Sequence, residues 1–397
     1  MQKRWLSLLL VAALLCSMTG CLQNKGLDQY TYVMGIGFDR GEKLPYRFTC
    51  MLQKIDYESS EQKLSGLDIV TAEGNNLFEA INTLSASLPL QLSFVRTVLI
   101  VVEKSLLTED AFLEQLINTA LSSLMIRYNA DLFVSLCPAE EALRGLESDL
   151  DPGGVKIQEN LETYSKDTGL IPLTNLRHIE EALLSHTHDI VAPLCGTASD
   201  DPGGMQDSVG GEPYAYLGGN LLIETNMKTE LAGAALFSDG ALVGLLNGQN
   251  TQLLQIAVGD FRRARVRFGN VNGMEISILL KRQRPTVIEL TPSDPPQARF
   301  TIALTAYIEQ PEHLGGVTVA QMEQWISQQL TDRYDRLFAA CRELQSDAFG
   351  LGTEAVRWFS DVESRNAFDY KALCASTEAV FDVRISLSNA PDKSVFE

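Results

Sequence analysis

The chain has 397 residues, 45% of them hydrophobic and 21% charged, which is the composition of a folded globular protein too long for one ordinary core. A formal net charge of -19 excludes a broad nucleic-acid surface and excludes attachment to anionic lipid by charge alone.

The N-terminus has Lys3-Arg4, an apolar run from Trp5 to Cys16, and the small-residue stretch Ser17-Met18-Thr19-Gly20, the layout of an export signal. The run is shorter than the ~20 apolar residues that cross a bilayer as a helix, so residues 1–20 read as a signal peptide. Met18-Thr19-Gly20-Cys21 is similar to the bacterial lipobox, whose cysteine is diacylated and becomes the first residue, and Cys21 is therefore the expected lipid anchor. Two acyl chains give the double attachment that stable membrane binding needs. The chain beyond Cys21 is expected on the outer face of a membrane. Cys50, Cys137, Cys195, Cys341 and Cys374 then remain, an odd and irregular set without a C-x-x-C pair, expected as small core residues.

Alternation in Tyr30–Phe38 sets Met34, Ile36 and Phe38 on one strand face and Gly35 and Gly37 on the other, where a neighbouring element can come close. Tyr46–Ile55 reads as the returning strand after the turn Asp39-Arg40-Gly41. Asn76 with Glu79 forms a helix start, the stripe Leu77, Ile81, Leu84 and Leu88 comes next, and Pro89 stops it. Thr97–Val102 suits a strand buried on both faces. A second helix starts at Thr108, Ala130–Leu136 is a strand, and Pro138 opens a short helix at its first position. Helical patterning over Ile157–Tyr164 and Thr174–Ser185 lies between Asp-Pro-Gly-Gly turns at Asp151 and Asp201. The alternation predicts a mixed α/β domain over residues 21–195.

Gly196–Pro213, rich in Gly, Ser, Asp and Pro, reads as a linker over 196–213. Strands at Tyr216–Glu224, Leu231–Phe237 and Ala241–Leu246, the last two joined by Asp239-Gly240, precede a short helical stretch Gln252–Val258 in an expected middle domain over 214–272. Residues 273–397 are expected as a C-terminal α+β domain, with strands Met274–Lys281, Thr286–Leu290, Arg299–Ile308 and Val380–Leu387. Thr318 and Gln321 cap its longest helix, whose Met322, Trp325, Ile326, Leu330, Tyr334, Leu337, Phe338, Cys341 and Leu344 share one face. Gly350 is the expected stop, with Thr353–Phe359 a further short helix. The fold class is thus multidomain α+β, an N-terminal α/β domain followed by one or two small α+β domains with a long C-terminal helix packed on a sheet.

No stretch assembles a catalytic set. Gly35-Ile36-Gly37 lacks the third glycine of a dinucleotide loop, since position 40 is Arg40. Ser60-Glu61-Gln62-Lys63 has S-x-x-K spacing without any S-D-N or K-T-G companion. His186-Thr187-His188-Asp189 offers two imidazoles but no third clustered ligand, and reads as a solvated loop. Arg262-Arg263-Ala264-Arg265-Val266-Arg267 is the one basic concentration, read as a solvated face or an intramolecular partner for acids. No metal or cofactor is expected, and the chain reads as not an enzyme.

Several of these stretches together resemble the Ger(x)C family, the lipoprotein C subunits of spore germinant receptors. The resemblance rests on Cys21 followed by Val33-Met34-Gly35-Ile36-Gly37-Phe38-Asp39, on Phe94–Ile100, on Gly233–Phe237 with Leu242-Val243-Gly244, on Tyr307-Ile308-Glu309, and most specifically on Ser346-Asp347-Ala348-Phe349-Gly350-Leu351-Gly352. It implies a non-enzymatic lipoprotein on the outer face of the spore inner membrane, associated with germinant receptor A and B membrane subunits and required for germination. Glu309, a charge at the end of an apolar strand, is the residue singled out for test, with a buried partner, a subunit contact or a solvated strand end as its readings. The rival from the residues alone is a lipid-anchored solute-binding protein of a transporter, disfavoured because the second half lacks a doubly wound lobe.

Overall fold

The computed structural model describes residues 30–56, 63–109, 111–146, 157–185, 187–197, 208–209, 217–221, 228–271, 274–308 and 317–388. Cys21, the two Asp-Pro-Gly-Gly turns, most of the expected linker, Ser60, His186 and Glu309 lie outside them.

Strands β1 (Tyr30–Arg40), β2 (Tyr46–Asp56) and β3 (Lys63–Gly74) pair antiparallel in succession. After helix α1 (Leu77–Ser87), short β4 (Gln91–Ser93) adds parallel to the start of β1, and β5 (Leu99–Glu103) pairs parallel with its remainder. Helix α2 (Phe112–Asn118) leads to β6 (Asp131–Ser135), parallel to β5; α3 (Ala139–Gly145), α4 (Ile157–Thr168) and α5 (Leu176–Ser185) then precede β7 (Val191–Thr197), parallel to β6. Two-residue β8 (Ser208–Val209) and the hairpin of β9 (Thr229–Ser238) and β10 (Ala241–Leu246) close the sheet, whose path runs β3-β2-β1-β5-β6-β7-β9-β10-β8. The hairpin turns on Asp239 and Gly240, both at positive φ (50° and 81°), the backbone that an Asp-Gly pair favours.

Helix α6 (Gly248–Ala257) leads into the second sheet, β11 (Arg263–Val271), β12 (Met274–Arg282), β13 (Val287–Thr291) and β14 (Gln297–Ile308). Long helix α7 (Val319–Glu343), short α8 (Leu351–Ala355), α9 (Val362–Ala367) and α10 (Tyr370–Ser376) come next, and β15 (Glu378–Ser388) returns parallel to β14 along its length. Helix α7 begins with the expected reciprocal cap, each of Thr318 and Gln321 bonding the other's backbone N–H. It buries Met322, Ile326, Leu330, Tyr334, Leu337, Phe338 and Cys341. Large apolar side chains so placed contribute about 1.5–3 kcal/mol each. Phe300, Phe338, Phe349, Phe381 and Tyr334 meet there, with Phe381 stacked on Phe300 and on Tyr334 at centroid distances of 4.8 and 4.9 Å. Trp325 is half-buried and tilts against Phe268 at 5.8 Å.

The structure departs from the sequence expectations in instructive places. Residues 214–272 divide between the sheets: β9 pairs antiparallel onto β7 in the first, and β11 opens the second. Ala234 and Leu236 of β9 face the core of α7, whereas Ala235 and Phe237 face that of α5, so the core of the second half extends onto one face of the first sheet. Residues 217–221, expected as strand, form a turn. In β1 the pairing register shifts between Val33 and Gly35, which sends Met34 to the face opposite Ile36 and Phe38. Strand β7 is hidden in the sequence by Pro193, tolerated where the ladder with β9 is irregular between Pro193 and Cys195. Strand β11 is hidden by its arginines, although Ala264, Val266 and Phe268 alternate inward. Pro138 stands before α3 instead of inside it, and α7 ends at Glu343 with Leu344 as its cap, not at Gly350.

Candidate functional site

The segment Ser346–Gly352 sits where the two sheets meet. Gln345, at φ 54°, turns the chain out of α7; its N–H donates to the Arg342 carbonyl (3.0 Å) and the Ser346 N–H to that of Cys341 (3.0 Å), a Schellman closure without glycine. Ser346 Oγ donates to the Phe237 carbonyl at the end of β9 (2.8 Å). The Asp347 carboxylate, 6% exposed, accepts from the N–H groups of Leu351 (2.8 Å) and Gly352 (2.7 Å) and so caps α8. Burial pushes its pKa up to about 6, against the opposing pull of those two bonds. Phe349 fills the aromatic core. Gly352 packs on the first half: a Cβ there would lie 2.1 Å from the Thr187 carbonyl oxygen.

Asp189, in the loop between α5 and β7, is the hub of this junction, its side chain 6% exposed. It accepts from Lys371 Nζ (2.7 and 2.8 Å), from the Asp347 N–H (2.7 Å) and from the Asp239 N–H (3.1 Å). Lys371 Nζ donates further to Ser238 Oγ (2.8 Å) and the Gln345 carbonyl (3.3 Å). The loop after α5, the β9–β10 turn, the end of α7 and helix α10 are thereby tied at one point. A cleft of about 360 Å³ opens beside it, with Glu114, Glu180, His188 and Asp239 among its walls. Burial lowers the pKa of His188, and Thr187 Oγ1 is its hydrogen-bond neighbour at 3.3 Å.

Asp39, at the end of β1, does a similar task. Its carboxylate accepts from the Ala139 and Glu140 N–H groups, capping α3 where Pro138 cannot, and burial raises its pKa to about 6. Gly35 and Gly37 let α3 close on β1, since a Cβ on Gly37 would lie 3.0 Å from Leu143. The arginine run lies on β11 from Arg263 onward, with Arg262 just before it, and Asp167 of α4 takes Arg262 at 3.3 Å and Arg263 at 3.1 Å, the intramolecular acid partner. Cys50, Cys195, Cys341 and Cys374 are buried free thiols and Cys137 is half-buried. Lys63 lies at the start of β3. Among the described residues, no three His, Cys, Asp or Glu are grouped to hold a metal, and no helix is long and apolar enough to cross a membrane.

Comparison with known proteins matches residues 23–197 to the spore germination protein N-terminal domain and residues 232–389 to the spore germination B3/GerAC-like C-terminal domain. The chain belongs to the Ger(x)C family of germinant receptor C subunits. The crystal structure of the GerBC protein is similar in fold, with a TM-score of 0.52 and 11% identity over 89% of this chain and 97% of that one. No curated protein sequence matches. The carboxylates of Asp39, at the end of the opening strand, and of Asp347, within Ser346–Gly352, thus hold helix starts, and the Asp347 N–H meets Asp189 at the junction of the halves. Sequence reasoning identified Asp39 and Asp347 as motif members without their task, and took Asp189 for part of a solvated loop.

Proposed function

We propose that this chain is a non-enzymatic, lipid-anchored subunit that holds a nutrient germinant receptor together and is required for spore germination. Its partners in this reading are the A and B membrane subunits, on the outer face of the spore inner membrane, with Cys21 as the anchor. The observation that carries it is the use of the motif residues Asp39, Ser346 and Asp347 as internal braces, which makes a rigid two-sheet body and leaves outer surfaces for contacts. Rigidity suits a scaffold, and tethering raises effective concentration so that weak contacts to membrane subunits suffice.

The anchor also gives the body a side. Residues 22–29 reach at most ~30 Å from Cys21 to Tyr30. Val95, Met125 and Tyr128 are 41%, 73% and 47% exposed in the loops that enter β5 and β6, at the end of the sheet where β1 begins. Those loops, with Arg96 and Arg127, are the edge that this reading turns toward lipid. Glu309 is a proposed subunit contact.

Deletion in the spore-forming host tests the function: spores without the chain should fail to respond to at least one nutrient. Normal germination on every nutrient, with no paralogue present, would favour the transporter-linked solute-binding alternative. Cys21→Ala should leave the chain unprocessed or soluble in fractionation and free of acyl label; unchanged membrane recovery removes the anchor.

A further inference from the structure

Asp131, at the start of β6, is 5% exposed, and its carboxylate has no hydrogen-bond or ion-pair partner among the described residues. Its backbone is fully engaged, the N–H donating to the Val98 carbonyl (3.0 Å) and the chain bridging to Asn175. The nearby start of α5 does not need it, because Asn175 Oδ1 already accepts from the His178 N–H (3.2 Å). Asp39, Asp189 and Asp347 each hold protein donors, whereas the little-exposed Asp131 carboxylate opens only onto a cleft, which leaves its charge for whatever enters there.

Asp131 lines a cleft of about 380 Å³ between α4 and α5 on one side and the loop after α6 on the other. That volume is at the small-ligand end of the usual range and far above what one inorganic ion fills. The charged groups around it are Glu162 and Lys166 of α4 and Asp260 of the loop, with the His178 imidazole of α5 beside them. Lys166 is already held by Glu162 (2.6 Å) and Asp260 (2.9 Å), so three carboxylates face a single engaged cation. The opposite wall is fixed: Arg282 donates to the carbonyls of Gln255 (3.1 Å), Ile256 (3.0 Å) and Gly259 (2.8 Å), fastening the end of α6.

We propose that this cleft binds a compact organic cation whose ammonium group donates to the Asp131 carboxylate. An ammonium supplies the hydrogen bonds and the charge that Asp131 lacks, and the cleft walls leave room for its carbon chain. Burial and the Glu162 charge push the Asp131 pKa up to about 7, so binding of the cation competes with a proton.

The test is calorimetric titration of the full chain with 1,4-diaminobutane and with uncharged 1,4-butanediol at pH 8. Saturable binding of the diamine, weakened at least tenfold by Asp131→Asn and unchanged by the exposed control Asp294→Asn, is expected, with no binding of the diol. In the unmutated chain the affinity should fall about tenfold per unit as pH drops below 7. No saturable diamine binding, equal binding of the diol, equal binding by Asp131→Asn, or pH-independent affinity each overturns the proposal. None of these results depends on Cys21 or on germination.

Discussion

Asp189 and Asp131 are both acids with little exposure, yet both carboxylate oxygens of Asp189 accept hydrogen bonds and the carboxylate of Asp131 meets no protein donor among the described residues. Asp189 sits among backbone N–H groups and Lys371 at the junction of the sheets; Asp131 faces an open cleft with two further carboxylates. A buried charge is tolerated when the fold supplies partners, and an unpaired one is a stability cost that structure alone does not explain. The junction is therefore a brace and the cleft a site, and substitutions at the two should differ in sign.

The largest effect is expected at the brace. Asp189→Ala leaves Lys371 and two backbone N–H groups without their acceptor and should destabilise by about 2–4 kcal/mol, read as a lower urea midpoint at unchanged slope. Wild-type stability in that variant would remove the junction from the account. Gly352→Ala is expected next, about 1–3 kcal/mol, because its Cβ would meet the Thr187 carbonyl oxygen and force the loop and α8 apart. A neutral outcome would show that the halves are loosely joined there.

How much of this contrast the sequence discloses depends on whether a feature is local. The Thr318–Gln321 and Asn76–Glu79 caps, the Asp239-Gly240 turn and the α7 stripe are set by neighbours within a few residues, and they form as the sequence predicts. Pairing of β7 with β9 joins residues far apart and passes through Pro193, so neither strand β7 nor the shared core could be read from periodicity. The caps that Asp39 and Asp347 provide differ in the same way. Asp347 caps a helix four residues ahead, whereas Asp39 reaches Ala139 across the fold. Asp131 looks like any polar residue opening a strand; only the third dimension shows that no described residue meets its carboxylate.

Smaller effects sharpen the cleft side. The folded-state pKa of Asp131, about 7, lies above the ordinary carboxyl value near 3.9, so the folded chain holds the extra proton between those limits. Its contribution to stability is complete below about pH 4 and is lost as pH rises through 7. Asp131→Asn should flatten that decline, matching wild type near pH 4 and exceeding it by about 1–2 kcal/mol at pH 8. The smallest change is expected at Tyr334, whose hydroxyl is buried in the α7 core without a partner among the described residues: Tyr334→Phe should be neutral or stabilising by up to ~1 kcal/mol in thermal unfolding. A clear loss there would mean that the hydroxyl has a partner the fold does not show.

The most direct measurement compares urea unfolding of Asp131→Asn and Asp189→Asn with the unmutated chain at pH 8. Both replacements keep side-chain size and remove one charge from a buried position. If the chain uses one buried acid as a brace and the other as a ligand site, Asp131→Asn is more stable than the parent and Asp189→Asn is less stable. Loss of stability by both variants to the same extent would contradict that distinction.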